Sequence, residues 1–81
     1  MDVLKYVITK DNEPILFSIK ILHSEIKNDS IRAGFLIILN GSKPRQYTVS
    51  CFGESSTLKL KSDKVKDKTI IESFLNSIIS Y

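Results

Sequence analysis

The apolar residues of this chain change period once, towards the C-terminus, and that change limits what it can fold into. Through most of the chain, apolar and polar residues alternate with the period of two that puts successive side chains on opposite faces of a strand. Ile70, Ile71, Phe74, Leu75, Ile78 and Ile79 instead recur at i, i+1, i+4, i+5, i+8 and i+9, which draws a stripe down one side of a helix. A helix with one apolar stripe needs a surface to bury it against, and a sheet face supplies one. The chain therefore reads as a single α+β domain over residues 1–81. Its expected architecture is a four- to five-stranded antiparallel sheet with one C-terminal amphipathic helix, about 67–80, packed on one face. Such a helix would be about 20 Å long, with Asp63 or Asp67 capping its start.

The strands follow from alternation and from turn residues. Residues 3–9 are rich in β-branched and aromatic side chains, and Lys10-Asp11-Asn12-Glu13-Pro14 reads as a turn. Residues 15–21 would place Ile15, Phe17, Ile19 and Ile21 on one face of a second strand, closing a hairpin. A single helical turn is expected over 23–27. Residues 31–39 form the strongest strand, apolar on both faces from Phe35 to Leu39. Such a strand is either central and covered twice, or it meets another subunit. Gly34 within it points to a bulge or a close backbone approach. Asn40-Gly41 starts a tight turn, 45–52 alternates again, and 57–61 resumes after Gly53 interrupts the period. The segment 45–61 is thus two strands, or one strand bent at Gly53.

A chain of 81 residues is marginally stable without reinforcement, which small domains draw from disulfides, a metal or self-association. Cys51 is the one cysteine and His23 the one histidine, so an intrachain disulfide and a Cys/His zinc cluster are both excluded. Self-association is left as the expected device. No cofactor motif is present. No apolar run approaches the ~20 residues that span a bilayer, and residues 1–5 lack the basic-then-apolar pattern of a leader. The expectation is a soluble cytoplasmic protein with no membrane partner. The net charge of +3 permits an anionic partner without requiring one.

Few residues suggest chemistry. His23 titrates near neutrality, but no nucleophile or orienting acid accompanies it at a telling spacing. Its plain reading is a surface or turn histidine, and its functional reading is ligand contact. Cys51 sits in an alternating apolar face and reads as core; a Cys51–His23 dyad is the rival. Gly53-Glu54-Ser55-Ser56 has the small, polar composition that can turn backbone N–H groups towards an anion, and its plain reading is a bulge or turn. Lys59, Lys61, Lys64, Lys66 and Lys68 gather five positive charges, offset by Asp63 and Asp67, with Lys43 and Arg45 at the preceding turn. Lys59 and Lys61 would share one strand face. Such a stripe could hold phosphates; equally, it could be a solvated face that keeps an edge strand from aggregating. Single-stranded nucleic acid would also call for stacking aromatics there, and Phe52 is the one candidate.

Arg32-Ala33-Gly34-Phe35, Ser50-Cys51-Phe52-Gly53-Glu54-Ser55, and Leu58-Lys59-Leu60-Lys61-Ser62 before a C-terminal Ile-Ile pair resemble a group of small uncharacterised proteins carried by phages and prophages. The early apolar hairpin and His23 also fall where that group has them. The chain departs from the pattern in its lysine-rich segment 63–68 and in lacking a helix-rich stretch after His23. The resemblance implies a setting in which small proteins act by stoichiometric binding. The function expected is a non-enzymatic, self-associating binding protein that counters a host defence, occupying a host protein or sequestering a nucleotide-like anion. Arg45, Gly53, Ser55, Lys59, Lys61 and His23 are the expected ligand contacts. A nucleic-acid-binding module using Arg45, Lys59, Lys61 and Lys64 is the second reading, and a hydrolase using His23 or Cys51 the third.

Overall fold

A computed structural model describes residues 3–23, 26, 29–40, 47–56 and 58–79. In chain order the elements are β1 (Val3–Thr9), β2 (Pro14–Ser18), β3 (Ser30–Asn40), β4 (Tyr47–Phe52), β5 (Glu54–Ser55), β6 (Leu60–Lys61) and α1 (Lys64–Ile79). Strands β1 to β4 make one antiparallel sheet in the order β2-β1-β3-β4, and β5 pairs with β6 in a separate two-stranded ribbon. The fold is α+β, with four main strands and the helix packed against them.

Register assigns the two faces. Leu4, Tyr6 and Ile8 of β1 stand beside Leu36, Gly34 and Arg32 of β3, and Leu36 beside Cys51 of β4. On this face Tyr6, Ile8, Leu36, Val49 and Cys51 enclose Ile71 of α1, with Leu16, Ile38, Ile70 and Leu75 packed around them. The helical stripe is therefore buried on the sheet as its period predicts, although Phe74 lies at the margin, 37% exposed. Ile78 and Ile79 lie outside the described side chains. The opposite face carries Val7, Phe17 and Ala33, covered by Ile21 and Ile26 from the β2–β3 connection and by Leu58 and Leu60 from the ribbon. β3 is thus central and covered from both sides, and it emerges at its two ends, with Ile31 42% and Leu39 39% exposed.

Several boundaries differ from the sequence expectation for local reasons. The second strand stops at Ser18 rather than residue 21. Ser18 accepts at its Oγ from Lys20 N and at its carbonyl from Ile21 N, which turns the chain and leaves Ile19 52% exposed instead of on the strand face. Of the turn expected over 23–27, Ile26 N donates to the His23 carbonyl at 3.1 Å, an i to i+3 bond; 24, 25 and 27 lie outside the described residues. The turn at 41–44 lies outside them too, as do 45 and 46 at the start of the fourth strand. Of the expected strand 57–61, residue 57 lies outside the described residues, and 58–61 add no fifth strand to the main sheet. Lys59 takes a left-handed φ of 57°, and only Leu60 and Lys61 pair, with Ser55 and Glu54. The helix starts at Lys64, earlier than 67, because Asp63 Oδ1 accepts from Val65 N and Lys66 N as an N-cap. Asp67, the other capping candidate, is drawn into the sheet instead.

Two glycines are required by space. A Cβ on Gly34 would stand 2.7 Å from the Phe52 carbonyl oxygen and 2.9 Å from Ser62 Cβ, the close approach its position in β3 suggests. Gly53 has φ +76°, and a Cβ there would meet Phe35 Cδ2 at 3.0 Å.

Candidate functional site

A cleft of about 450 Å³ opens between the first turns of α1 and the β1–β2 turn. Asn12, Arg32, Val65, Lys66, Thr69 and Ile70 line it. Asn12 is held at φ 61°, with its N–H on the Thr9 carbonyl. Thr69 donates its hydroxyl to the Val65 carbonyl, a bond internal to the helix. Arg32 comes from β3, on the helix face, and its guanidinium is fixed from beneath.

The fixing group is Asp67, fully buried. Its Oδ1 accepts from Arg32 Nε at 2.5 Å, and its Oδ2 accepts from the Tyr6 hydroxyl at 2.5 Å and from Asp63 N at 2.8 Å. A buried carboxylate is tolerated when it is paired and hydrogen-bonded in this way. Burial pushes the Tyr6 hydroxyl far above its ordinary pKa, and the hydrogen bond and charge of Asp67 act in the same direction. Cys51, in the same cluster, is pushed up to about 11 by burial and then by the Asp67 carboxylate. At neutral pH both groups are protonated, so neither serves as a ready nucleophile.

On the opposite sheet face an aromatic row crosses the strands. Phe17 and Phe35 both face Lys5 in the register, and Phe35 faces Phe52. His23 seats edge-on between Phe17 and Phe35, at centroid distances of 5.4 and 5.6 Å, while Phe35 stacks on Phe52 at 5.8 Å. His23 Nε2 lies 3.0 Å from the Gly34 carbonyl, which can only accept, so the ring donates there. The histidine expected at the surface or in a turn does open a turn, with Ile26 N on its carbonyl, but it is buried, 4% exposed. Two flat rings and one carbonyl partner make its enclosure cheap, and no spacing in the sequence announces that Phe17 and Phe35 close on it. Cys51 faces the helix and His23 the other side, so the sheet itself separates the two members of the dyad.

The expected ligand contacts fall into two groups. His23 and Gly53 meet through Phe35, and Ser55 is buried with its Oγ accepting from Leu58 N. The Gly53 carbonyl accepts from both Ser62 N and Ser62 Oγ, so this loop spends polar groups on its own closure. Lys59 and Lys61 are exposed, and the left-handed turn at Lys59 means that they do not form one strand face. Arg45 lies outside the described residues. None of the other five lines the cleft beside α1. What the sequence did offer for that cleft was Asp67, a charged residue four positions before Ile71 and so in line with the apolar stripe. No group of acidic, histidine and cysteine side chains among the described residues could hold a metal ion. No helix among them is long and apolar enough to cross a membrane.

Comparison with family models, with curated proteins and with solved structures returned no match to this chain.

Proposed function

We propose that the chain is a non-enzymatic binding protein whose cleft beside α1 takes a small, nucleotide-like anion. The observation that carries this reading is the Arg32 guanidinium, held at the cleft by a buried carboxylate. Asp67 engages Nε–H, which fixes the plane of the guanidinium and leaves the other N–H donors for an anion's oxygens. Lys66 adds an exposed charge at the rim, and the volume falls within the roughly 300–1,000 Å³ typical of small-ligand sites. His23 and Cys51 sit on opposite sides of the sheet in packing roles, which favours binding over hydrolysis. The resemblance to phage-carried proteins supplies the setting: a cytoplasmic, self-associating protein that blunts a host defence by stoichiometric capture, with a host protein as the other candidate target.

Titration calorimetry against inorganic phosphate, mononucleotides and cyclic nucleotides tests the reading. Saturable binding is expected, and Lys66→Ala should weaken it about tenfold, the equivalent of one charge-assisted contact. Silence across these ligands at millimolar concentration rejects the small-anion reading. Steeply salt-dependent retention of oligonucleotides in its place would favour the nucleic-acid module.

A further inference from the structure

The two edges of the main sheet are finished differently. Along β4, Tyr47 N donates to Asn76 Oδ1 at 3.0 Å and Val49 N donates to Glu72 Oε2 at 2.8 Å. That edge is occupied by its own helix. Along β2 the phase of the ladder follows from Thr9 N, which donates to the Glu13 carbonyl. Alternation then makes Val7–Ile15 and Lys5–Phe17 the hydrogen-bonded pairs with β1. Pro14, Leu16 and Ser18 consequently turn their backbone groups away from the sheet. Natural edges are blunted by charge or by proline; Pro14–Ser18 carries no charge, and its one proline stands at the first position of the strand.

We propose that β2 pairs antiparallel with β2 of a second copy, about a twofold axis at Leu16, to give one continuous eight-stranded sheet. In this register Leu16 faces Leu16, and each donates its N–H to the other's carbonyl. Pro14 faces Ser18. Pro14 has no N–H to give, and the Ser18 carbonyl it would have served already accepts from Ile21 N. The remaining half of that pair is sound, with Ser18 N–H donating to the Pro14 carbonyl. The edge is thus complementary to itself, donor for acceptor, which is what a twofold interface requires. Side chains agree with the backbone. Ile15 of one copy comes opposite Phe17 of the other, a favourable β-branched–aromatic pair.

Light scattering after size exclusion, with the full chain at micromolar and higher concentrations, reads the assembly directly. The expected mass is twice the 9.2 kDa of the chain. Ser18→Pro removes the outward donor without touching a β1 ladder bond, at the loss of one exposed turn contact, Lys20 N to Ser18 Oγ, so it should be folded by circular dichroism and monomeric. A monomer at every concentration overturns the proposal, and so does a dimer that Ser18→Pro leaves intact. Should that variant not fold, amide exchange on the native chain decides. Leu16 and Ser18 must become protected as concentration rises; rates independent of concentration overturn the pairing.

Discussion

Asp67 carries more of this structure than any other polar side chain described. It accepts from Tyr6, Arg32 and the Asp63 backbone at once, tying β1, β3 and the start of α1 to a single carboxylate. Removing one partner of a buried pair strands the other, at a cost of about 3–5 kcal/mol. A domain of this size holds only about 4–12 kcal/mol in total. Asp67→Ala should therefore leave the chain partly unfolded, seen as a collapse of the urea midpoint; a midpoint near that of the native chain would remove Asp67 from this role. Asp63 makes a milder claim. The Lys66 amide, and after it the Val65 amide, hold its carboxyl below the ordinary value of 3.8. A folded-state pKa below the unfolded one stabilises fully above the unfolded value and is lost as pH falls through the folded value. Asp63→Asn keeps a capping oxygen without the charge. It should flatten the stability curve below about pH 4 while changing little at neutrality, and an unaltered acid limb in a pH series of unfolding curves would count against it.

At the level of elements, α1 acts through spacing as well as through its apolar stripe. Four helical residues advance about 6.0 Å and two strand residues about 6.7 Å. Glu72 and Asn76 therefore stay in step with Val49 and Tyr47 along the β4 edge. Lys68, one helical step earlier, donates to the same Glu72 oxygen that Val49 uses and steadies it. Replacing Glu72 or Asn76 with alanine should speed amide exchange at Val49 or Tyr47 about fivefold, as expected for the loss of roughly 1 kcal/mol. Exchange that stays at the native rate would show that the edge does not depend on these side chains. This pairing could not be read from the sequence. The apolar stripe named one helix face, while Glu72 and Asn76 look like ordinary solvated residues until the helix is laid beside an edge.

For the whole molecule, local signals carried the architecture and distant contacts carried the site. Alternation and the late change of period were enough to place four strands and a helix. They could not tell that Lys59 would turn left-handed and detach 58–61 from the main sheet. Nor could they tell that Phe17 and Phe35, well separated in sequence, would close over His23. The cleft depends on Asn12, Arg32 and Lys66 arriving together from three elements, a coincidence no spacing encodes. Its occupation should be felt by the entire fold, because a ligand that binds only the folded state stabilises all of it. At a hundredfold excess over Kd the gain is about 2.7 kcal/mol. A nucleotide that binds by calorimetry should raise Tm by several degrees, and one that leaves Tm unmoved at saturation is binding something other than the native cleft.

The helix that guards the β4 edge is also the last of these elements to leave the ribosome. Asn76 follows Phe52 by 24 residues, or about 1–5 s of synthesis at ordinary rates. Through that interval the nascent sheet has no occupant for the Tyr47 and Val49 amides. Slow codons between the fourth strand and the helix would lengthen the exposure, and fast ones would shorten it. Two genes encoding this identical chain could therefore differ in soluble yield while their purified products were indistinguishable.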